Sequence, residues 1–284
     1  VAAACKSAKY WASKGGFKVE IINTKKVGQV HFLFKGKTEK VKSFFTERKK
    51  KILKSTSSIT KNMIDRGGGI LNIELKDKTN LLDHYYQIHV TFETVDSMGA
   101  NFINSCLEQI AESLKSYSLA YEGFSDKEKQ IEIVMSILSN YTPECNAYAS
   151  VCCPINKLEK EKDLTSNQFA DKFIMAVEIA KKDVYRAVTN NKGIMNGVDA
   201  VIMATGNDFR AVEAGVHAYA SRSGMYSSLS NAYVKEGNLI FEIKLPLALG
   251  TIGGVTRGHP IANWSIELLG NPNAKTLMGI VAAA

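Results

Sequence analysis

Two glycine-punctuated stretches in the second half of the chain carry side chains of opposite charge. They read RAVTNNKGIMNG, from Arg186 to Gly197, and MATGNDFRAVEAG, from Met203 to Gly215. Both are expected to be loops, where catalytic residues are often found. A lysine beside a carboxylate can stabilise an oxyanion and control its proton, which makes Lys192 and Asp208 candidates for chemistry at a carbonyl group. A surface ion pair between the same residues is the simpler alternative, and the spacing alone slightly favours it.

Two further glycine clusters could approach a phosphate group. VDSMGAN, from Val95 to Asn101, lies at a predicted strand-to-helix junction, and GTIGGVT spans residues 250 to 256. A glycine at a helix start lets a pyrophosphate reach the exposed N–H groups, and Asp96 could accept a ribose hydroxyl. The alternative, which spacing alone favours, is that Asp96 is an N-cap and Gly99 packs closely. Neither GxGxxG nor GxxxxGK[ST] occurs, which argues against a Rossmann dehydrogenase.

Hydrophobic periodicity predicts the elements that must position these residues. The first half is expected to hold an Ala-rich helix over residues 1–14, a strand at 30–34, a long basic helix at 37–63, strands at 70–76 and 85–94, a helix at 98–117 and a strand at 130–138. From about residue 25 to residue 139 the order is β-α-β-β-α-β, the split βαβ or ferredoxin-like arrangement. This segment is predicted to be an inserted domain.

The remaining residues are predicted to form one discontinuous large domain from residues 1–24 and 140–284. Its expected elements are helical patterning at 166–188, a small-residue helix at 211–221, a strand at 239–244 and a glycine-rich loop at 250–258. The expected fold class is therefore α+β, with a large, mostly helical domain interrupted by a ferredoxin-like one.

Composition narrows the class of protein. The chain has 284 residues, 45% of them hydrophobic, with 36 Lys+Arg against 28 Asp+Glu and a net charge of +8. Such a composition is typical of a folded protein and not of a disordered or disulfide-stapled one. No apolar run long enough to cross a membrane is visible, so a cytoplasmic protein without a membrane partner is expected. The five cysteines lack CxxC spacing, which favours buried free thiols over a zinc or other metal site.

Most of the positive charge lies on the long basic helix, since residues 35–54 hold nine basic and two acidic side chains. A basic β-α-β-β-α-β module also fits RNA recognition, for which Phe32, Phe34, Tyr85 and Tyr86 would be the aromatic platform. The segment YYQIHVTF lacks the basic-Gly-aromatic signature expected before it. We therefore disfavour a nucleic-acid partner and interpret the basic helix as a solvated face.

Three segments together resemble class II, bacterial-type 3-hydroxy-3-methylglutaryl-coenzyme A (HMG-CoA) reductases. They are NNKGIMNGVDAVIMATGNDFRAVEAGVHAYASRSG at 190–224, VDSMGAN at 95–101 and LPLALGTIGGVTRGHPIA at 245–262. The resemblance covers nearly the whole chain. It implies a four-electron reduction of the HMG-CoA thioester to mevalonate and CoA, or the reverse oxidation, with NADH or NADPH used twice. It also implies a homodimer or higher homo-oligomer and a ferredoxin-like, not Rossmann, cofactor domain.

The resemblance assigns roles residue by residue. Lys192 matches the lysine that stabilises the oxyanion, and Asp208 matches the aspartate of the same hydrogen-bonded network. Substrate contacts are carried over to Arg186, Asn196 and Asn140. Cofactor contacts are carried over to Asp96, Met98, Gly99, Asn101, Gly253 and Gly254, with Ser97 standing where the family usually has alanine. The preference between NADH and NADPH stays open at this point.

Two further catalytic residues of the family have no counterpart in the sequence. The family's catalytic glutamate would precede Val1, and its catalytic histidine would follow Ala284. His217 and His259 do not match that histidine's motif and are expected to be structural. The chain as printed is therefore expected not to complete turnover, and a catalytically incompetent homologue with a binding or regulatory role is the alternative.

Overall fold

Two four-stranded antiparallel sheets organise the chain in the computed structural model, which describes residues 2–158, 164–254, 256 and 258–284. Each sheet belongs to its own unit. The smaller unit comprises residues 25–95 and 99–139, and the larger unit comprises residues 1–24, 96–98 and 140–284. Since helices and antiparallel strands build both units, the expected α+β class is confirmed.

The smaller unit has the predicted alternation of strands and helices. Its elements are β2 (Lys26–Leu33), α2 (Thr38–Ser55), α3 (Ser57–Ile64), β3 (Gly69–Asp77), β4 (Tyr85–Glu93), α4 (Ala100–Leu119), α5 (Asp126–Lys129) and β5 (Glu132–Ser139). The sheet order β3-β4-β2-β5, antiparallel throughout, is that of the split βαβ arrangement. The predicted helix over 37–63 is in fact two helices, divided at Thr56.

One face of this sheet is buried because its strands alternate. In β4, Tyr86, Ile88, Val90 and Phe92 are buried while their neighbours are partly exposed. Helix α4 packs on this face so closely that a Cβ on Gly28 would lie 2.5 Å from Leu107. The packed aliphatic and aromatic side chains form a core of the smaller unit's own.

The larger unit places helices around a sheet ordered β1-β6-β8-β7. Its elements are α1 (Ala2–Ser13), β1 (Lys18–Thr24), β6 (Cys145–Pro154), a one-turn helix (Ile155–Lys157), α6 (Ser166–Lys182), α7 (Val184–Ala204), α8 (Phe209–Ala220), β7 (Ser230–Lys235), β8 (Asn238–Pro246), α9 (Pro260–Leu268) and α10 (Ala274–Ala283). The sequence predicted β8 and missed the other three strands.

Three strands of the larger unit were not predicted from the sequence, and in β6 the reason is its small inward-facing side chains. Cys145, Ala147 and Ala149 point into the core, and these residue types carry less strand signal than branched or aromatic ones. In β1 most residues are exposed, so its alternation is weak. β7 begins Ser-Asn-Ala, which resembles a turn more than a strand.

The stretch 190–207 was predicted to be a loop, and this expectation is wrong. It is helical as far as Ala204, within the 21-residue helix α7. Met195, Val198 and Ile202 recur at helical spacing and are buried, so tertiary packing outweighs the helix-weakening effect of two glycines. The predicted helix over 166–188 breaks at Asp183, whose side chain accepts the Tyr185 N–H and caps α7.

None of the five cysteines forms a disulfide. Cys106, Cys145 and Cys153 are buried as expected, whereas Cys5 and Cys152 are exposed. Burial raises the pKa of the Cys106 thiol to about 12, which keeps that thiol protonated and unreactive.

Candidate active site

Helix α7 borders a cavity of about 400 Å³ in the larger unit. Arg186, Asn190 and Gly193 recur at the i, i+4, i+7 spacing of one helix face, and all three line the cavity. Asn196 lines it as well. Most of the remaining wall is apolar and comes from α1, β6, β8 and α10. The cavity therefore has the usual character of a ligand site, an apolar space with a few converging polar groups.

Arg186 is the cation of this cavity without a counterion. The other charged residue in the described lining is Glu242, whose carboxylate already accepts hydrogen bonds from Tyr148 Oη at 2.7 Å and Asn231 Nδ2 at 3.0 Å. Arg186 forms no ion pair with a described residue. A guanidinium beside an apolar space favours a ligand with a carboxylate, which it can bind through two parallel hydrogen bonds.

Lys192 lies on α7 between the turns that carry Arg186 and Asn196, so the structure places it on a helix and not on the expected loop. Its side chain is exposed, and no described carboxylate pairs with it. It stands four residues before Asn196, the spacing at which side chains stack along a helix face. Lys192 is not among the residues that line the cavity.

Asp208 is the N-cap of α8. Its Oδ1 accepts the Arg210 N–H at 3.1 Å and the Ala211 N–H at 3.2 Å, and Arg210 Nε lies 3.7 Å away. The side chain is 52% exposed. Asn207 N donates to Ile202 O, so Asp208 follows the end of α7, and the ten residues from Lys192 to Ile202 rise about 15 Å along the helix. Among the described residues, no hydrogen bond or ion pair joins Lys192 and Asp208, so the alternative of a surface ion pair between them is wrong.

Asn140 lies at the start of the larger unit's second part and is exposed. Its carbonyl oxygen packs against α8, where a Cβ on Gly215 would come within 2.7 Å. Asn140 is not among the cavity's lining residues.

The residues carried over for the cofactor fall in both units. In the larger unit, Asp96 Oδ1 accepts the Ala274 N–H at 2.9 Å, and the Asp96 carbonyl accepts the Thr251 N–H at 2.8 Å. Asp96 therefore contacts the first helical residue of α10, whose N-cap is Asn273. The N-cap of α4 is Gly99, so the alternative that Asp96 caps this helix is wrong. Gly250 approaches Met98 so closely that a Cβ would lie 2.4 Å from the Met98 nitrogen.

Gly253 and Gly254 follow in the same loop with φ values of +82° and +57°, where glycine is strongly favoured. Both are exposed. Backbone hydrogen bonds from Thr251 N and Ile252 N to the Asp96 carbonyl thus join this loop to Asp96 within one unit.

In the smaller unit, Gly99 is the N-cap of α4, with φ of +86°. A Cβ at Gly99 would lie 2.5 Å from Thr94 Cγ2, so close packing requires glycine here. Asn101 is exposed in the first turn of α4, and that turn has no acidic residue. Its N–H groups are therefore suited to an anion.

The model of the hydroxymethylglutaryl-coenzyme A reductase family matches residues 1–284. The chain belongs to this family. It is 30% identical over 285 residues to the 3-hydroxy-3-methylglutaryl-coenzyme A reductase of Archaeoglobus fulgidus, covering 100% of this chain and 61% of that protein. It is 36% identical over 248 residues to a probable HMG-CoA reductase of Borreliella burgdorferi, covering 87% of this chain and 54% of that protein. The chain thus spans between half and two thirds of these two relatives.

Solved structures agree with the family assignment. A class II HMG-CoA reductase of Streptococcus pneumoniae, bound to NADPH in open conformations, matches with a TM-score of 0.88 and 32% identity over 99% of this chain and 73% of that one. Another structure of the S. pneumoniae reductase matches with a TM-score of 0.89 and 32% identity, covering 100% of this chain and 74% of that one. The resemblance found in the sequence motifs is therefore confirmed.

Two carboxyl groups of this HMG-CoA reductase family member were missed in the sequence. Asp199 lies on α7 and Glu213 on α8, and burial together with the nearby Glu213 carboxyl group raises the pKa of Asp199 to about 6. The available signal was helical spacing, because Asp199 follows Lys192 by seven residues and Asn196 by three. This spacing gave no prediction because residues 190–207 were expected to form a loop.

Two other expectations for this family member concern membrane-spanning helices and the role of His217. Among the described residues, no helix combines the length and apolarity needed to cross a bilayer. His217 Nδ1 lies 2.8 Å from Tyr226 Oη, which fits the structural role expected for this histidine.

Proposed function

We propose that the whole protein to which this chain belongs reduces HMG-CoA to mevalonate and CoA, or catalyses the reverse oxidation, with NADH or NADPH. The observation that carries this proposal is Arg186, a cation that no described residue pairs, at an apolar cavity of about 400 Å³ in a chain of this family. The hydroxymethylglutaryl group offers a terminal carboxylate on a short, branched, mainly apolar body. Both features match the cavity.

In this proposal Arg186 binds the terminal carboxylate of the substrate. Asn196, which also lines the cavity, bonds a neutral oxygen of the same group. Asn140 adds a further contact, with its backbone fixed against Gly215. Positioning of this kind converts binding free energy into orientation of the thioester carbonyl.

Lys192 stabilises the negative charge that develops on the thioester oxygen when the carbonyl accepts a hydride. A fixed cation beside a developing oxyanion lowers the barrier because the charge is compensated without reorganisation of water. Asp208 belongs to the same network in this proposal. Its carboxylate is held in place as the N-cap of α8, where Oδ1 accepts the Arg210 and Ala211 N–H groups.

The dinucleotide is proposed to use the Asp96–Asn101 stretch together with Gly253 and Gly254. When bound, the reduced nicotinamide supplies the hydride. Gly99 leaves the first turn of α4 open to the pyrophosphate, and Asn101 offers a polar side chain there. Asp96 Oδ1 already accepts the Ala274 N–H, so Oδ2 is the oxygen that could accept a hydrogen bond from a ribose hydroxyl. Met98 packs beside the loop that bears the two glycines.

We assign the substrate role to residues 1–24 and 140–284 and dinucleotide binding to residues 25–139, to which Gly253 and Gly254 of the last segment are added. The protein is proposed to act in the cytoplasm as a homodimer or higher homo-oligomer, in which the cofactor domain of one subunit meets the substrate residues of another. The S. pneumoniae relative, whose structure contains NADPH, supports the choice of a nicotinamide dinucleotide as cofactor.

The test is the oxidation of NADH or NADPH by the full-length protein in the presence of HMG-CoA, followed by nicotinamide absorbance. Lys192→Ala should lower kcat by about 100-fold to 1,000-fold, the usual cost of removing one oxyanion stabiliser. The matched control is Lys172→Ala, which removes an exposed lysine of α6. Full activity of the Lys192 variant would contradict the proposed role, and a full-length protein without turnover would contradict the function.

A further inference from the structure

The Asp199–Glu213 carboxyl pair lies where α7 packs against α8. On α7, Asp199 shares a helix face with Lys192 and Asn196, because it follows them by seven and three residues. On α8, Glu213 is five residues beyond the N-cap, Asp208. The pair therefore lies between the helix face that carries the proposed oxyanion stabiliser and the helix that begins at the proposed catalytic carboxylate.

A hydrogen bond between two carboxyl groups requires a proton on one of them. The Glu213 carboxyl group lies within hydrogen-bond reach of Asp199 and raises the pKa of that residue. Asp199 Oδ1 is enclosed, and no N–H or O–H group of the described residues donates to it. Two ionised carboxylates in this position would repel each other at short range and leave enclosed charge without a partner. The geometry is therefore that of a pair which holds one proton.

The neighbouring elements supply no competing charge to Asp199. Helix α7 packs against α1, α6, α8, α9 and α10. Their ionisable residues are Cys5, Lys6, Lys9 and Tyr10 on α1; Asp171, Lys172, Glu178, Lys181 and Lys182 on α6; Arg210, Glu213, His217 and Tyr219 on α8; Glu267 on α9; and Lys275 on α10. Of these, Glu213 alone among the described groups shifts the pKa of Asp199. Lys181 is bonded to Glu178 and Asn231.

We propose that Asp199 and Glu213 are positioning residues for the reduction: the proton they share holds α8, which begins at Asp208, against α7, which carries Lys192 and Asn196. This inference rests on the proposed function. When the pair loses its proton, repulsion between the carboxylates loosens the contact between α7 and α8. The alignment of Asp208 is then lost, while Arg186, more than three helical turns away on α7, keeps its place at the cavity.

The sign of the pH dependence follows from the raised pKa of Asp199. Its ordinary value is 3.8, and its value in the fold is about 6. The stabilising contact is therefore complete below about pH 4 and is lost as the pH rises through about 6.

The experiment compares kcat and KM of the full-length reductase between about pH 5 and pH 8.5 for the wild type and Asp199→Asn. The asparagine amide donates to Glu213 at every pH, so this variant keeps the hydrogen bond that the wild type loses. We expect the ratio of variant to wild-type kcat to rise about 3-fold to 10-fold through pH 6, with KM for HMG-CoA within about 2-fold. A ratio that stays constant with pH would overturn the inference.

Two further variants complete the test. Glu213→Gln also removes one of the two charges and should give the same rise in the kcat ratio. Asp171→Asn removes an exposed carboxylate from α6 and should leave the ratio constant. A rise in the ratio for Asp171→Asn equal to that for Asp199→Asn would show a general charge effect and would overturn the inference.

A second readout does not depend on turnover. The melting temperature of the wild type should fall as the pH rises through 6, whereas that of Glu213→Gln should change less over the same range. If the full-length protein shows no reductase activity at any pH, the proposed function fails, and the melting curves still decide whether the pair shares a proton. Parallel melting curves for wild type and variant would overturn proton sharing.

Discussion

Gly99 and Gly67 separate two costs of replacing a glycine by alanine, the strain of the backbone and the steric overlap of the new Cβ. Both have left-handed backbones in the smaller unit, with φ of +86° and +89°. At Gly99 a Cβ would lie 2.5 Å from Thr94 Cγ2, whereas at Gly67 no described heavy atom comes within 4 Å of it. Gly67→Ala should therefore cost about 1 kcal/mol of backbone strain, and Gly99→Ala about 2–4 kcal/mol from strain and overpacking together.

Urea unfolding followed by circular dichroism measures this difference directly. Gly67→Ala is the control, because it adds the same methyl group at the same backbone conformation without the steric contact. Equal destabilisation by the two substitutions would show that Thr94 moves away at no cost. That result would contradict a close-packed start of α4.

Residue motifs identified the cavity better than they identified the geometry around Lys192. Arg186 and Asn196 were carried over as substrate contacts, and both line one cavity. The alternative of an ion pair between Lys192 and Asp208 was wrong because Lys192 lies inside α7 and Asp208 begins α8, whereas the sequence predicted two loops. Asp199 gave no motif signal, since its role depends on Glu213 from another helix. Contacts made by tertiary packing leave little trace in a single sequence.

At the scale of elements, α7 contains two glycines with opposite surroundings. Gly193 faces the cavity, and a Cβ there would meet no described heavy atom within 4 Å. At Gly197 a Cβ would lie 2.3 Å from the carbonyl oxygen of Ala284, which follows α10. Gly193→Ala should stabilise the protein by about 0.5–1 kcal/mol through helix propensity, and Gly197→Ala should destabilise it by about 1–3 kcal/mol.

The two substitutions are each other's control, because they add the same methyl group one turn apart on the same helix. The free energy of unfolding in urea should therefore change in opposite directions. A change of the same sign for both variants would contradict close packing between α7 and Ala284. Under the proposed function, Gly193→Ala should in addition raise KM for HMG-CoA in the full-length protein, since its methyl group enters the proposed substrate cavity.

Element prediction succeeded where the period of the hydrophobic residues was strong. In the smaller unit, β4 alternates cleanly and α4 buries residues at helical spacing, and both were predicted within a few residues. In the larger unit, the small side chains of β6 and the exposed residues of β1 gave no comparable period. The α+β class could thus be predicted from the sequence. The sheet of the larger unit could not, because its strands are recognised only once their pairing partners are known.

At the scale of the whole molecule, the two units carry different optical probes. Both tryptophans, Trp11 and Trp264, lie in the larger unit, where Trp11 is 6% exposed and Trp264 is 60% exposed. Tryptophan fluorescence therefore reports the larger unit, whereas far-ultraviolet circular dichroism reports the helices of both. Each unit has a hydrophobic core of its own, so two-state unfolding of the entire chain is not required.

We expect Gly99→Ala to shift the circular dichroism transition to lower urea and to move the fluorescence transition less, because the substitution weakens the smaller unit. Gly197→Ala should shift the fluorescence transition, because α7 belongs to the core around which the larger unit folds. Trp11 supplies most of that signal change, since it is buried against Phe173 and Phe241 in the folded state. Identical shifts of both probes in both variants would mean that the units unfold as a single cooperative structure, and stability effects could then no longer be assigned to either unit alone.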